Sequence, residues 1–476
     1  MKPRATEPLY RQLARRIESA IRHRAYRAEE RLPSVRRLAR EQRVSIPTAL
    51  QAYATLERLG LIVARPKSGF FVRAPATASV PPPTSPPIAA RISDLSQTDP
   101  LTLIRSDDYD PRRVNLGAAV PSPDRLPGKA LGRLLSAAAR RLGATGVNYG
   151  PLEGVPALRR EIARRSLTAG LALQPDRICV TLGATEAVTL ALRATCSPGD
   201  TVVVESPTFF GLLRQLREMG LKALPIPVDP GTGLDLEALS SALRRTRVSA
   251  ILVIPNFHNP VGFVMPEASK RELVRIAAAK AIPIIEDDLY ADLPHAGPRP
   301  KALKAFDRED LVLLCSSFSK SIAPGYRVGY IAGGRWHERI VGLKKANSSG
   351  NPPLPSLAIA DYLAGGGYDR FLRSFREACR VQVAQMQGAL VASFPAGLRL
   401  SRPEGGYVLW CELAPSVDSM ELFRRAQAEH IAIAPGPTFS SDGRYRNFIR
   451  VSCGHPWSDR IEAAVRTLGR LAAAAS

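Results

Sequence analysis

Two features are scarce in this sequence of 476 residues, and each absence excludes a class of protein. The six cysteines are scattered without C-x-x-C spacing, which argues against a disulfide framework or a zinc site and for reduced thiols in a cytosolic protein. No apolar run approaches the roughly 20 residues that cross a bilayer, since the longest runs are stretches such as SAILVIP and AIPII. The first residues, MKPRATEPLY, also lack the apolar run of a signal peptide. We therefore expect a cytosolic protein without a membrane span.

Acidic residues are scarce relative to basic ones, and the imbalance is concentrated at one end of the chain. The net charge is +23, and residues 1–75 hold 17 Lys and Arg against 6 Asp and Glu. A basic N-terminal module indicates a polyanionic partner such as nucleic acid. An arginine-rich composition can also follow from the base composition of a genome, so charge alone leaves both interpretations open.

A proline-rich segment divides the chain. PATASVPPPTSPPIAA, residues 75–90, carries six prolines and no charged residue. Proline has a fixed φ and no backbone N–H, so this segment can neither continue a helix nor form a central strand. We predict an N-terminal domain over residues 1–74, a semi-extended linker over residues 75–109 and a large domain over residues 110–473. At about 3.1 Å per residue, the proline-rich segment could span roughly 50 Å.

The N-terminal domain has the pattern of a winged helix-turn-helix. Apolar residues recur every four positions over residues 7–23, which predicts an amphipathic helix. Ser34 and Ser45 are candidate N-caps of a second and a third helix, and Gly60 is a candidate end of the third. The stretch LIVARPKSGFFVR then predicts two short strands around a turn.

In a DNA-binding interpretation, the third helix enters the major groove. Ser45, Thr48 and Gln51 are then candidates to contact base edges. Four basic residues are candidates to hold phosphates: Arg36, Arg37, Arg43 and Lys67. The alternative is a small helical protein-interaction domain with a solvated basic face.

Four segments favour DNA binding because they resemble the GntR family DNA-binding domain: PLYRQLARRI, RLPSVRRLARE, VSIPTALQAYATLERLGLI and SGFFV. This resemblance implies that the partner is double-stranded DNA. The loop YRAEERLPS departs from the Pro-Gly or Gly-Asp turn that is usual in the family.

Beyond residue 110, short apolar runs alternate with helical stretches. The runs RICVTLG, TVVVESP, SAILVIP, IPIIEDD and LVLLCSS are continuous rather than alternating, as in parallel strands that helices cover on both faces. We predict an α/β fold with a mostly parallel sheet. In such sheets, ligands bind beyond the carboxyl ends of the strands, which is where this sequence places its polar residues.

One lysine lies among these polar residues. Lys320, just beyond a predicted strand, could form a Schiff base with an aldehyde cofactor. Asp287 could keep a pyridine nitrogen protonated, whereas Asn259 and Tyr290 could donate hydrogen bonds to the phenolic oxygen of the ring. Phe209 offers an aromatic face for stacking. Together these residues predict pyridoxal 5′-phosphate as the cofactor.

The phosphate group of this cofactor would need donors at a helix N-terminus. TLGATEAVTLAL starts a helix directly after its strand, with Gly183, Ala184 and Thr185 at the beginning. The loop of the lysine adds hydrogen bonds and charge from Ser317, Ser319 and Arg327. Each of these residues alone could be an ordinary loop residue. Their shared order and their positions at strand ends favour a cofactor site.

This order resembles that of fold-type I aminotransferases over residues from about 110 to 470, together with the segments NYGPLEGVPALRREIARR, EGGYVLW and NFIRVSC. The resemblance implies a smaller C-terminal α+β subdomain and a Tyr149 that reaches the cofactor phosphate of the neighbouring subunit. It also implies that Arg450, with Asn259, binds the α-carboxylate of an amino acid. Ala184-Thr185 stands where relatives often carry Ser-Gln, and Phe209 stands where tyrosine is common.

A GntR-type domain joined by a proline-rich linker to an aminotransferase-like domain resembles the MocR subgroup of GntR regulators. This implies a homodimer built on the large domains, and amino-acid-like or vitamin ligands as effectors. Two functions stay open: a transcription regulator whose large domain senses an amine or the cofactor, and an active aminotransferase with an attached DNA-binding module. A scaffold that has lost its cofactor is disfavoured because every expected cofactor partner is present.

Overall fold

The computed structural model describes residues 8–22, 25–26, 30–65, 68–72, 80–86, 88, 90–95, 110 and 112–474. All six cysteines are free and buried, which agrees with the predicted reduced thiols. Across these ranges, no helix is both long and apolar enough to cross a membrane.

The N-terminal domain is a winged helix-turn-helix. Its elements are α1 (Leu9–Arg22), α2 (Val35–Glu41), α3 (Ile46–Arg58), β1 (Ile62–Arg65) and β2 (Gly69–Val72). The two strands form an antiparallel hairpin. Ser34 and Ser45 cap α2 and α3 as predicted, because each hydroxyl accepts a hydrogen bond from a backbone N–H in the first turn. Tyr53 is fully buried in the small core of this domain, and its hydroxyl donates a hydrogen bond to the Pro33 carbonyl at 2.6 Å.

The large domain carries its strands in two main sheets. The strands are β3 (Val114–Asn115), β4 (Cys179–Thr181), β5 (Thr201–Ser206), β6 (Lys222–Asp229), β7 (Gly233–Leu234), β8 (Ala250–Val253), β9 (Ile284–Asp287), β10 (Val312–Ser317), β11 (Gly329–Ala332), β12 (Arg399–Leu400), β13 (Val408–Glu412), β14 (Ile431–Ala432), β15 (Ala434–Pro435) and β16 (Phe448–Ser452). The central sheet has the order β4-β11-β10-β9-β8-β5-β6-β7. The five neighbouring strands β10, β9, β8, β5 and β6 are parallel to one another, whereas β11 runs antiparallel to both of its neighbours, β4 and β10. The prediction of a mostly parallel sheet is confirmed.

Helices cover this sheet and build the smaller subdomain. They are α4 (Gly128–Leu142), α5 (Pro156–Ser166), α6 (Ala184–Thr195), α7 (Phe210–Glu218), α8 (Leu236–Arg245), α9 (Glu267–Ala278), α10 (His337–Ser348), α11 (Pro353–Ala364), α12 (Gly367–Ser393), α13 (Ser419–Ala428) and α14 (Asp459–Ala473). Every residue of β5, β8, β9 and β10 is buried, which explains why these strands are continuous apolar runs in the sequence. The sheet β12-β13-β16-β15 with α12–α14 forms the predicted C-terminal α+β subdomain.

The described part of the predicted linker lies against the large domain. The Pro81 carbonyl accepts a hydrogen bond from the Leu400 N–H at 3.1 Å, and the Thr84 N–H donates to Glu412 at 2.6 Å. Ser93 exchanges two backbone hydrogen bonds with Ala223. Residues 80–95, as far as they are described, therefore lie along the large domain. Unpaired backbone groups at the edges of β12 and β6 attract an extended chain. The domain boundaries themselves stay predictions.

Leu95 anchors this docked segment in the core at 1% exposure, whereas Ile92 is 49% exposed. We expect Leu95→Ala to lower the free energy of unfolding of the large domain by about 2–5 kcal/mol, because it leaves a cavity. Denaturant titration followed by tryptophan fluorescence measures this change, since Trp336, Trp410 and Trp457 all lie in the large domain. Ile92→Ala is the control and should change the midpoint little. Equal effects of the two substitutions would contradict docking of the segment.

Candidate functional site

The carboxyl ends of β9 and β10 bring Asp287 and Lys320 to one edge of the sheet. The two strands are parallel, and Asp287 pairs in register with Cys315. Lys320 follows three residues after β10, and its Nζ donates to the Ala119 carbonyl at 2.6 Å. Burial lowers the pKa of Lys320 to about 8, and the positive charge of Arg450 acts in the same direction. A larger fraction of this amine is therefore neutral, and so nucleophilic, than in an ordinary lysine.

Asp287 has a buried carboxylate with an unused acceptor. Its Oδ1 has no hydrogen-bond partner among the described residues, and its side chain is almost fully buried. Burial raises the pKa of Asp287 to about 7, and the charge of Asp288 adds to this effect. A protonated pyridine nitrogen would provide a charged donor for this unused acceptor. The residue therefore fits the role predicted for it.

Tyr290 and Asn259 are the two residues predicted to donate to the phenolic oxygen. The buried Tyr290 hydroxyl also has no partner among the described residues, and its ring meets Tyr407 edge to face at 5.5 Å between centroids. The Lys320 amine lies 6.0 Å from the centroid of the Tyr290 ring. Asn259 accepts a hydrogen bond from Arg450 at its Oδ1, at 3.0 Å, which leaves the amide N–H groups to donate.

Arg450 is a buried cation without an acidic neighbour. It is 1% exposed, and its Nη1 and Nη2 donate to Asn259 and to the Gly117 carbonyl. Phe210 and Phe439 flank the guanidinium, with ring centroids at 5.6 and 5.0 Å from its central carbon. Among the described residues, its Nε has no hydrogen-bond partner, and no acidic group is among the charges that shift its pKa. Burial lowers the pKa of Arg450 to about 10, so the group is still charged at neutral pH and suits a ligand carboxylate.

The residues predicted to bind the phosphate lie at the start of α6 and in the loop of Lys320. Gly183 precedes the helix with φ +87°, and Ala184 and Thr185 lie in the first turn. The Arg327 guanidinium donates to the Leu182 carbonyl at 2.9 Å and contacts the Ser319 hydroxyl at 3.4 Å. The φ of Gly183 lies in the region that side-chain-bearing residues rarely adopt, which favours glycine here. Backbone N–H groups at a helix start, next to a guanidinium, suit a phosphate.

Of the remaining cofactor candidates, Tyr149 is the one that lies away from the site of its own chain. The Ser317 and Ser319 hydroxyls are hydrogen-bonded to each other at 2.9 Å. Phe209 is partly buried, and its ring centroid lies 4.7 Å from that of Phe210, which flanks Arg450. Tyr149 is 88% exposed and has no side-chain contact with the site of its own chain among the described residues.

The DNA-contact candidates lie on the surface of the N-terminal domain. Arg36, Arg37, Arg43, Ser45 and Gln51 are exposed, and Thr48 is partly exposed. Lys67 lies outside the described residues. Arg37 forms an exposed ion pair with Glu41 at 2.7 Å. The Ser45 hydroxyl caps α3 and contacts the Thr48 hydroxyl at 2.7 Å, so both hydroxyls already have partners within the helix.

The sequence analysis missed a polar network behind the cofactor residues. Asp288 accepts hydrogen bonds from Asn256 and Arg299, and Arg299 also pairs with Asp292 at 2.9 Å. The Tyr368 hydroxyl at the start of α12 donates to Asp292 at 2.8 Å and contacts the Ser321 hydroxyl at 2.7 Å. The second aspartate of IIEDD was the available signal, but its partners are distant in the sequence.

The mostly parallel sheet, with Lys320 and Asp287 at one edge, indicates the fold of a pyridoxal-phosphate-dependent transferase, joined here to a winged helix-turn-helix. The family model for aminotransferase class I and II matches residues 114–468, and the model for bacterial regulatory proteins of the gntR family matches residues 9–72. The chain belongs to the MocR subgroup of the GntR regulators, which combines these two domains. This membership confirms the predicted fold, cofactor and class of function.

Three known proteins illustrate the similarity. The uncharacterized HTH-type transcriptional regulator YjiR of Escherichia coli is 40% identical, over 96% of this chain and 96% of that protein. The regulator YdcR of the same organism is 35% identical, over 97% of this chain and 98% of its own length. The α-aminoadipate aminotransferase LysN of Thermus thermophilus, solved with N-(5′-phosphopyridoxyl)-L-leucine, has a TM-score of 0.73 and 26% identity over 80% of this chain and 96% of its own.

The lowered pKa of Lys320 predicts how cofactor uptake depends on pH. Only the neutral amine attacks an aldehyde, so uptake of pyridoxal phosphate by the cofactor-free protein should rise with pH and level off above about pH 8. Visible absorbance after mixing measures the rate. Lys320→Ala should give neither the visible band nor an adduct fixed by borohydride. A midpoint above about pH 10, the range of an ordinary lysine, would contradict the assignment, as would an adduct mapped to another lysine.

Proposed function

We propose that this protein is a pyridoxal-phosphate-dependent transcription regulator whose large domain senses an amine that carries a carboxylate. The observation that carries the proposal is Arg450, a buried guanidinium without an acidic partner among the described residues. Its charge contributes to the lowered pKa of Lys320, so the two groups lie in one electrostatic environment. A ligand with an amine for the Lys320 position and a carboxylate for Arg450 has the chemistry of an amino acid.

Bound pyridoxal phosphate supplies an aldehyde carbon and an electron-withdrawing ring. Asp287 would hold a proton on the ring nitrogen, and Asn259 and Tyr290 would donate to the phenolic oxygen. Phe209 would stack on the ring. The phosphate would lie at the start of α6, within reach of Gly183, Ala184, Thr185, Ser317, Ser319 and Arg327. Lys320 would hold the aldehyde carbon until an effector amine replaces it.

The effector must also influence the DNA-binding domain. Ser321, directly after Lys320, contacts the Tyr368 hydroxyl at the start of α12. Farther along this helix, Arg380 lies 3.4 Å from Glu18 of α1, and Val381 packs against the core of the N-terminal domain. A single helix thus contacts both the lysine loop and the DNA-binding domain. An effector that favours one position of this loop would bias the position of the DNA-binding domain.

The exposed Tyr149 supports a homodimer. Tyr149 is 88% exposed and Val147 is 95% exposed, in a short segment before α5. Large apolar side chains exposed together are typical of an interface. In a homodimer, Tyr149 of one protomer would reach the cofactor phosphate of its partner.

A working aminotransferase with an attached DNA-binding module is the less favoured function. The closely related full-length proteins are named as regulators, and a DNA-binding domain serves no step of transamination. The solved neighbour that holds a phosphopyridoxyl amino acid supports the same ligand chemistry for sensing.

Arg450→Ala should abolish the response to carboxylate-bearing amines and keep the cofactor. Removing one partner of a buried charge pair costs about 2–5 kcal/mol, or roughly 30-fold to several-thousand-fold in affinity. The test titrates amino acids against the protein loaded with pyridoxal phosphate and follows both visible absorbance and DNA binding. Arg446→Ala is the matched control because the Arg446 side chain is 78% exposed, and it should respond like the wild type. A full response in Arg450→Ala would refute a carboxylate effector.

DNA binding should depend strongly on salt because the N-terminal domain is basic and phosphate contacts release counterions. Arg36→Ala should weaken binding to duplexes of any sequence and reduce the slope of log affinity against log salt by about one. Fluorescence anisotropy of the full-length protein with labelled duplexes, at a series of salt concentrations, gives the slope. Arg446→Ala again serves as the control. An unchanged slope would show that Arg36 does not contact a phosphate.

A further inference from the structure

The exposed face of α3 is largely apolar. Ile46 is 52% exposed and Leu50 is 49% exposed, and their spacing of four residues puts them on one face of the helix. The opposite face, with Ala49, Ala52 and Tyr53, is buried in the domain core. Ile46 and Leu50 therefore do not belong to the domain core, and about half of each side chain is exposed to solvent.

Polar side chains contribute little to this face. The Ser45 and Thr48 hydroxyls are engaged with each other and with the helix start. The exposed neighbours of Ile46 and Leu50 are Ser45, Pro47, Gln51 and Ala54, and of the two polar side chains among them that of Ser45 already caps the helix. Hydrogen bonding to base edges by α3 thus depends mainly on one glutamine, and most of its exposed surface suits apolar contact.

The charges around this face favour DNA over a protein as its partner. Arg36 and Arg40 of α2 and Arg43 of the following loop are exposed beside α3. The first 75 residues carry 17 basic against 6 acidic side chains. Charges of one sign around an apolar face favour a polyanion, and a groove of DNA is bordered by phosphates on both sides.

We propose that Ile46 and Leu50 recognise thymine by contact with its C5-methyl group in the major groove. This proposal rests on the entry of α3 into the major groove, and it goes further by naming the base. The thymine methyl is the one apolar group that bases present there, and aliphatic side chains pack against it. The recognised sequence therefore contains A·T pairs opposite the first two turns of α3.

The test selects a sequence first and then removes single methyl groups. The full-length protein, loaded with pyridoxal phosphate, is used to enrich a pool of synthetic duplexes with a randomised centre. Each thymine of the tightest duplex is then replaced in turn by uracil, which differs only in lacking the methyl. We expect one or two positions in each half-site at which uracil lowers affinity roughly threefold to fivefold, as expected for one buried methyl.

Two variants connect these positions to the side chains. Ile46→Ala and Leu50→Ala should each bind the thymine duplex more weakly. Each variant should bind the thymine and uracil duplexes equally well at the position that its missing side chain contacts, because the contact with the methyl group is already absent in the variant. Leu167→Ala, a change at a 67% exposed leucine of the large domain, is the matched control and should keep the full uracil effect. Circular dichroism checks that the variants are folded.

Two outcomes would overturn the proposal. If uracil is tolerated at every position, or if both alanine variants keep the uracil effect of the wild type, thymine methyls are not recognised by these residues. A change in oligomeric state of the variants with an unaltered uracil effect would assign this face to contact between protein copies instead. A wild-type protein that enriches no duplex would refute DNA binding itself, which is a separate failure.

Discussion

The parallel pairing of β9 with β10 is the constraint on which the site depends. Their register places Asp287 beside Cys315, so the loop that follows β10 returns Lys320 to the edge at which Asp287 lies. Both strands are fully buried, and a shift by one residue would turn every apolar side chain to the opposite face of the sheet. Core packing thus fixes the relative position of the two groups more firmly than any contact between them.

Burial then adjusts the ionisation of the groups that this register brings together. It raises the pKa of Asp287 and lowers that of Lys320 and Arg450, and all three shifts favour the neutral form. Among the described residues, Asp287 Oδ1 and Arg450 Nε have no hydrogen-bond partner. The proposed cofactor, with a cationic ring nitrogen and an aldehyde, and the proposed effector, with a carboxylate, would together give each of these groups a partner.

The docked segment and α12 provide the contacts through which one domain can affect the position of the other. Residues 80–95, as far as they are described, lie along β12, β13 and β6 instead of crossing open solvent. The contact of Arg380 with Glu18 joins α12 directly to α1. Because part of the linker belongs to the large domain, the described contacts favour movement of the N-terminal domain through α12 over free motion on a long tether.

The sequence by itself determined the local features of this protein. The caps Ser34 and Ser45, the continuous buried strands and the order of Asp287 and Lys320 depend on neighbours along the chain or on one strand, so pattern reveals them. Tertiary structure alone decided the docking of the described part of residues 80–95 and the pairing of Asp288 with Arg299, since those partners come from separate elements. It also decided that the exposed face of α3 is apolar, because a helical pattern does not show which apolar residues the core leaves uncovered.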